Sequence, residues 1–171
     1  MSIPQDFYNR HRFVTLTADI MFVNSAPFMV TFSRKIGLRT VKFIPNRTVA
    51  TLIGALKKVI NLYARGGYIV TLIMMDQEFK KIVGTLRPVG INTTASREHV
   101  GEIERSNRTV KEQVRSIAST LPYAVLPKQV VIHMVYYVVT FLNCGIWING
   151  VSDTLSPREI VLRRKLDWLE T

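Results

Sequence analysis

The chain has 171 residues and a formal net charge of +11, from 23 Lys and Arg against 12 Asp and Glu. A hydrophobic content of 47% excludes a disordered chain, and the length suits one domain with a sizeable core. The lone cysteine, Cys144, excludes an intrachain disulfide and a Cys-rich zinc site, while the basic balance favours a polyanion such as nucleic acid or an acidic membrane surface.

The N-terminal stretch MSIPQDFYNRHRF has no apolar signal-peptide core. Phe13–Val23 is rich in Val, Ile, Thr and Phe and predicts a strand. Ser25-Ala26-Pro27 predicts a tight connection, Phe28–Phe32 a second strand, Gly37 a turn, and Arg39–Ile44 a third strand with clean alternation. Three adjacent strands with short links imply an antiparallel meander. Thr48 is placed to cap a helix whose apolar face is Val49, Leu52, Ile53, Leu56, Val59, Ile60 and Tyr63, and Gly66-Gly67 closes it. The apolar run Tyr68–Met75 suits a buried parallel strand, reached by a right-handed crossover.

Arg87–Ala95 predicts a short strand, and Ser96 or Arg97 begins a polar loop. A helix follows from about Val100 to Thr120, with the apolar stripe Val100, Ile103, Val110, Val114 and Ile117 interrupted by Asn107. Pro122 and Pro127 bracket a loop. Val130–Ile148 is nearly long enough to span a bilayer, but His133, Asn143 and Gly145 interrupt it. It reads instead as a buried helix followed by a short extended piece. That helix, Val130–Leu142, is hydrophobic all round, which predicts burial of one side against a second subunit. Ser156-Pro157-Arg158-Glu159 is a capping box with proline at the first helical position, so a last helix starts there.

Three acids stand out because each sits beside apolar residues. Asp19 lies inside the first strand, on a face with Thr17, Met21 and Val23; Asp76 ends the parallel strand, where ligands gather in α/β sheets. Glu104 sits beside the apolar stripe of the long helix and heads a second stripe with Arg108, Lys111 and Arg115. Glu98, Glu102 and Glu112 compete with it for the acidic role, and Arg105 fits an ordinary helix surface. A carboxylate beside a core is costly unless paired or bound to a metal, and three together suit a hard cation such as Mg²⁺. Each also has an ordinary reading: a solvent-facing strand acid, a loop acid capping a turn, and a helix-surface ion pair. Their joint weight comes from element order. Three antiparallel strands, a helix, a parallel strand and further helices is the ribonuclease H-like order, in which the first and fourth strands lie side by side.

Three segments, in sequence order, carry a family resemblance. TADIMFVN, MDQEF and EIERSNRTVKE resemble the first-strand Asp motif, the Asp–Phe turn and the Glu-Arg-x-Asn-Arg-Thr helix of retroviral and retrotransposon integrase cores, the D,D-E recombinases. FLNC and GVSDTLSPREIVLRR resemble the Asn and Ser-Pro segment near the end of that core. The copia-like retrotransposons are the nearest group. The likeness spans about residues 10–165, so residues 1–171 are expected to form one integrase-like core, without the zinc domain or the C-terminal domain. It implies a mixed five-stranded sheet flanked by helices. It implies that Asp19, Asp76 and Glu104 are catalytic and hold two Mg²⁺ or Mn²⁺ ions. It further implies DNA 3′-end processing and strand transfer, with Arg105, Arg108, Lys111 and Arg115 on phosphates. A homodimer or higher oligomer on DNA is expected, within the cell and in the nucleus of a eukaryotic host. Two departures favour a degraded, non-enzymatic module: 27 residues separate Asp76 from Glu104, fewer than is usual, and Gln77-Glu78 replaces the usual Gly. A nuclease that only hydrolyses is the third expectation.

Overall fold

The computed structural model describes residues 3–93 and 100–163. The expectations placed on Thr94, Ala95, Ser96, Arg97 and Glu98 lie outside the described residues. Five strands form one sheet: β1 (Phe13–Val23), β2 (Ala26–Ser33), β3 (Arg39–Phe43), β4 (Ile69–Met74) and β5 (Gly90–Asn92). Their order across the sheet is β3-β2-β1-β4-β5. The first three pair antiparallel, while β1 with β4 and β4 with β5 pair parallel. This is the expected ribonuclease H-like arrangement, with the first and fourth strands as neighbours at the sheet centre.

The β1–β2 turn falls one residue earlier than the sequence implies. Asn24 and Ser25 take φ of 44° and 63°, and Ala26 and Pro27 already pair with β1. The left-handed turn matches the strand twist, so a two-residue hairpin suffices. At the β2–β3 turn Gly37 has φ of 78°, and a Cβ there would lie 2.3 Å from the Trp147 indole. Both the angle and the close approach require glycine.

Helices cover both faces: α1 (Gln5–His11), α2 (Val49–Arg65), α3 (Val100–Ser119), α4 (Lys128–Cys144) and α5 (Pro157–Leu162). Thr48 caps α2, its hydroxyl accepting from the Thr51 N–H at 3.4 Å. On one face of the sheet, Leu16, Leu56, Tyr63 and Ile73 lock α2 onto β1 and β4, joined by Ile160 and Val161 of α5. On the other, Phe28, Val30 and Phe32 meet Ile103, Val110 and Val114 of α3 and Val131, Val135 and Val138 of α4. Fully burying each such side chain contributes about 1.5–3 kcal/mol. The capping box at Ser156 and Glu159 forms as expected.

Two elements have no counterpart in the sequence reading. α1 buries no residue completely and is held by the Tyr8 hydroxyl, which donates to the Gly67 carbonyl at 2.5 Å. A two-turn 3₁₀ helix, Gln77–Ile82, follows β4 and seats Phe79 and Ile82 in the core. The extended piece expected after α4 does not form as a strand. Gly145 ends the helix in extended backbone, residues 146–156 run as bends and turns, and Ile148 is 92% exposed. No described helix is long and apolar enough to cross a membrane.

Candidate active site

Asp19 and Asp76 are brought level by strand register. The last parallel pair is Thr17 with Met74, and each acid lies two residues beyond it. Residues two apart share a sheet face, and neighbouring strands are about 4.8 Å apart. The chain at Asp76 remains extended, with φ −71° and ψ 164°. The two carboxylates are close enough that the charge of Asp76 acts on Asp19.

Asp19 is half-buried and held at both oxygens. Its Oδ1 accepts from the Ile20 N–H at 2.7 Å, and its Oδ2 accepts from the Asn107 side-chain amide at 2.9 Å. Burial pushes its pKa up, and so does Asp76; the two hydrogen bonds and the Lys111 ammonium oppose the rise. The net direction is upward, so the folded chain disfavours the ionised form of this acid. Asp76 is exposed, and its Oδ1 accepts from the Gln77 N–H at 2.6 Å as the cap of the 3₁₀ helix. The neighbouring Glu78 is turned elsewhere, lining a cleft with Arg47 and Lys81.

α3 divides the other expected residues between two flanks. Residues advance about 100° each around a helix. Ile103, Val110 and Val114 face the core. Glu104, Arg108, Lys111 and Arg115 follow the edge that also carries Asn107, and Lys111 acts on Asp19. Glu104 is exposed one turn before Asn107. Among the described residues no three His, Cys, Asp or Glu side chains stand close enough to hold a metal ion together. Arg105 lies on the other flank, where its Nε donates to the Gly101 carbonyl at 3.0 Å and its side chain lines a cleft with Arg34, Arg39 and Trp147. Glu102 is also on that flank, paired with Arg34 at 2.9 Å, which removes it as a rival to Glu104.

Asn107 gains the most from the structure. In the sequence it is a break in an apolar stripe; in the fold it is buried and holds Asp19 from 88 residues away. Asn143, in the FLNC segment, is structural. Its Oδ1 accepts from the Arg39 N–H at 2.8 Å and its Nδ2 donates to the Arg39 carbonyl at 2.7 Å, tying α4 to the edge strand β3.

No protein-family model matches the chain, and no curated protein is significantly similar to it in sequence. Solved structures are similar in fold. The BIV integrase catalytic core superposes with a TM-score of 0.61 at 17% identity, over 87% of this chain and 93% of that one. The HTLV-2 integrase catalytic core in complex with magnesium, a trimeric form, gives 0.59 at 17% identity, over 86% and 95%. A simian T-cell lymphotropic virus intasome in complex with a PP2A regulatory subunit gives 0.60 at 17% identity, over 90% of this chain and 55% of that one. The chain therefore has the ribonuclease H-like fold of the retroviral integrase catalytic core.

Proposed function

We propose that the chain is the catalytic core of a retrotransposon integrase, of the copia-like group, acting on DNA by metal-dependent polynucleotidyl transfer. One observation carries this reading. Asp19 in β1 and Asp76 just beyond β4 each lie two residues past the last parallel pair, the Asn107 amide donates to Asp19, and the charge of Lys111 acts on it. Asp19 and Asp76, with Glu104 from the same edge of α3, would hold Mg²⁺ or Mn²⁺. The donor set fits, being carboxylate oxygens only. Asp19 also fits, because its burial and the charge of Asp76 are costs that a bound cation offsets. Two such ions, when bound, stabilise charge on a phosphoryl group and on the oxygens entering and leaving it.

The chain's own residues position and neutralise. The Ile20 N–H and the Asn107 amide fix the plane of the Asp19 carboxylate. Lys111 places a positive charge beside it, and Arg108 and Arg115 extend that stripe for DNA phosphates, with Arg105 on the opposite flank as a further phosphate contact. An oxygen of water or of a DNA 3′-hydroxyl bonds to phosphorus as the bond to the leaving 3′ oxygen breaks. The attacking hydroxyl loses one proton and the leaving oxygen gains one. The exposed Val130, Tyr137 and Phe141 of α4 support a homodimer. For a eukaryotic element the nucleus is the place of action.

A strand-transfer assay with Mn²⁺ and a labelled DNA end tests the reading. Wild type is expected to form joined products, and Asp19→Asn and Glu104→Gln to lower their rate by about 10²–10³-fold, the scale of losing one charge-stabilising group. Equal rates in all three proteins would sink the enzymatic reading. The degraded, non-catalytic core would then stand, favoured by the lack of a three-carboxylate cluster among the described residues and by the short Asp76–Glu104 spacing. Cleavage without joining would instead mark a nuclease.

A further inference from the structure

The flank of α3 away from the acids carries a cation with no carboxylate partner among the described residues. Arg39, at the start of β3, is half-buried. Its Nε donates to the Ser106 hydroxyl at 3.1 Å, and its guanidinium lies over the Phe32 ring at 5.3 Å. No carboxylate pairs with it among the described residues, where Arg34–Glu102 is the one ion pair. The Nη1 and Nη2 groups of Arg39 likewise have no acceptor among the described residues. Burial lowers its pKa, the direction expected of a cation stripped of water without a partner. A partly desolvated guanidinium with no paired carboxylate among the described residues is suited to an anionic ligand.

A cleft of about 330 Å³ opens at this point, walled by Phe32, Arg34, Arg39, Arg105, Trp147 and Asn149. Glu102 also lines it, but Arg34 already neutralises that carboxylate. Arg39 and Arg105 remain as net positive charge. The far wall is set firmly. Trp147 packs edge-on against Phe32 at 5.3 Å and lies against Gly37, where a side chain would not fit.

We propose that this cleft binds a phosphodiester of nucleic acid, as a backbone contact separate from the acid pair. Guanidinium forks match phosphate oxygens in geometry, and Arg39 has its free N–H groups there. An α-helix with its side chains is about 10–12 Å across. The cleft and the Lys111 stripe lie on opposite flanks of that one helix, so successive phosphates of one strand can engage both. The inference reaches beyond the acid-pair reading and does not need the chain to be an enzyme.

The test is the salt dependence of DNA binding by the whole chain, followed by fluorescence anisotropy of a labelled duplex in EDTA. Each phosphate contact contributes about 0.9 to the slope of log K against log salt. Arg105→Gln, at an exposed side chain, is expected to lower the slope by about 0.9, and Arg39→Gln/Arg105→Gln by about 1.8. Circular dichroism checks the double variant. Should it fail to fold, Arg39→Gln alone decides, with an expected drop of about 0.9 in slope. Slopes equal to wild type in the folded variants overturn the proposal. Inorganic phosphate that shifts the Arg39 Nε–H resonance, with no slope change in the variants, marks a free-anion site and also overturns it. A lowered slope with no Mn²⁺-dependent joining leaves this cleft standing while the enzymatic reading falls. Joining with unchanged slopes does the reverse.

Discussion

The two faces of the sheet are built on different terms. Against α2 the contact is apolar but for the buried Tyr63 hydroxyl, with Leu16, Leu56, Tyr63 and Ile73 fully buried. Against α3 and α4 an apolar centre of similar quality, including Phe28 and Val135, is bordered by polar groups that each have a named partner. Asp19 has Asn107, Arg39 has Ser106, and Asn143 has the backbone of β3. The first face supplies stability through area, which is non-directional. The second gives up some of that area to hold specific atoms in place. It is therefore where a substitution alters chemistry and the first is where a substitution alters folding.

The largest test of that contrast is Leu56→Ala. The side chain is fully buried, and its loss leaves a cavity between α2 and the central strands. Destabilisation of about 2–5 kcal/mol is expected in urea unfolding. A loss under about 1 kcal/mol would mean that this face collapses around the gap and is not the rigid support assumed here.

Next in size is Asn143→Ala. It removes both hydrogen bonds to Arg39 and leaves a backbone N–H and carbonyl of the edge strand without partners. The expected cost is about 1–3 kcal/mol, with faster amide exchange at Arg39. Unchanged exchange at that amide would show that the asparagine is not what seals β3. The Tyr136 hydroxyl, which accepts from the Phe43 N–H at 3.0 Å, would remain as the second seal of the same edge.

The contrast also explains what the sequence reveals. The apolar face is largely legible because periodicity reports it: of the expected stripe Leu52, Leu56, Val59 and Tyr63 are buried, Ile53 and Ile60 are partly buried and Val49 is exposed, while Ala55 is buried beside them. The meander followed from connection lengths, and the placing of the first strand beside the fourth from the ribonuclease H-like element order. α1 is invisible to that signal because it buries no residue completely. The 3₁₀ helix after Asp76 is too short to show a period. The site is legible only in part. Asp19 and Asp76 draw attention as acids inside one apolar strand and at the end of another, but the Asp19–Asn107 bond joins residues 88 apart, which no local pattern encodes. Arg105 and Arg108 look alike in sequence, and three steps of about 100° leave them only about 60° apart, yet Arg105 lines the Trp147 cleft and Arg108 does not.

The smallest expected effect has the opposite sign and separates the two faces most sharply. Asp19→Asn removes a charge that the fold disfavours. Burial and Asp76 raise the folded pKa of Asp19 above its unfolded value, so its ionisation costs stability at neutral pH. That cost is fully present above the folded pKa, shrinks as pH falls through it, and vanishes below the unfolded value. Asn keeps the contacts, because Asn107 can turn its amide to present oxygen to the new side-chain N–H while Ile20 N–H still finds an acceptor. The variant is therefore expected to be more stable than wild type at pH 7, by about 0.5–2 kcal/mol, the range of a single stabilising substitution. The gap should close as pH falls through the folded pKa of Asp19. Mg²⁺ at ten times its dissociation constant would raise wild-type stability by about 1.4 kcal/mol and leave the variant unmoved. A variant less stable than wild type at pH 7 would show that the Asp19 hydrogen bonds outweigh its desolvation, making this acid an ordinary structural contact. Thermal unfolding of both proteins between pH 4 and pH 8, with and without Mg²⁺, distinguishes the two.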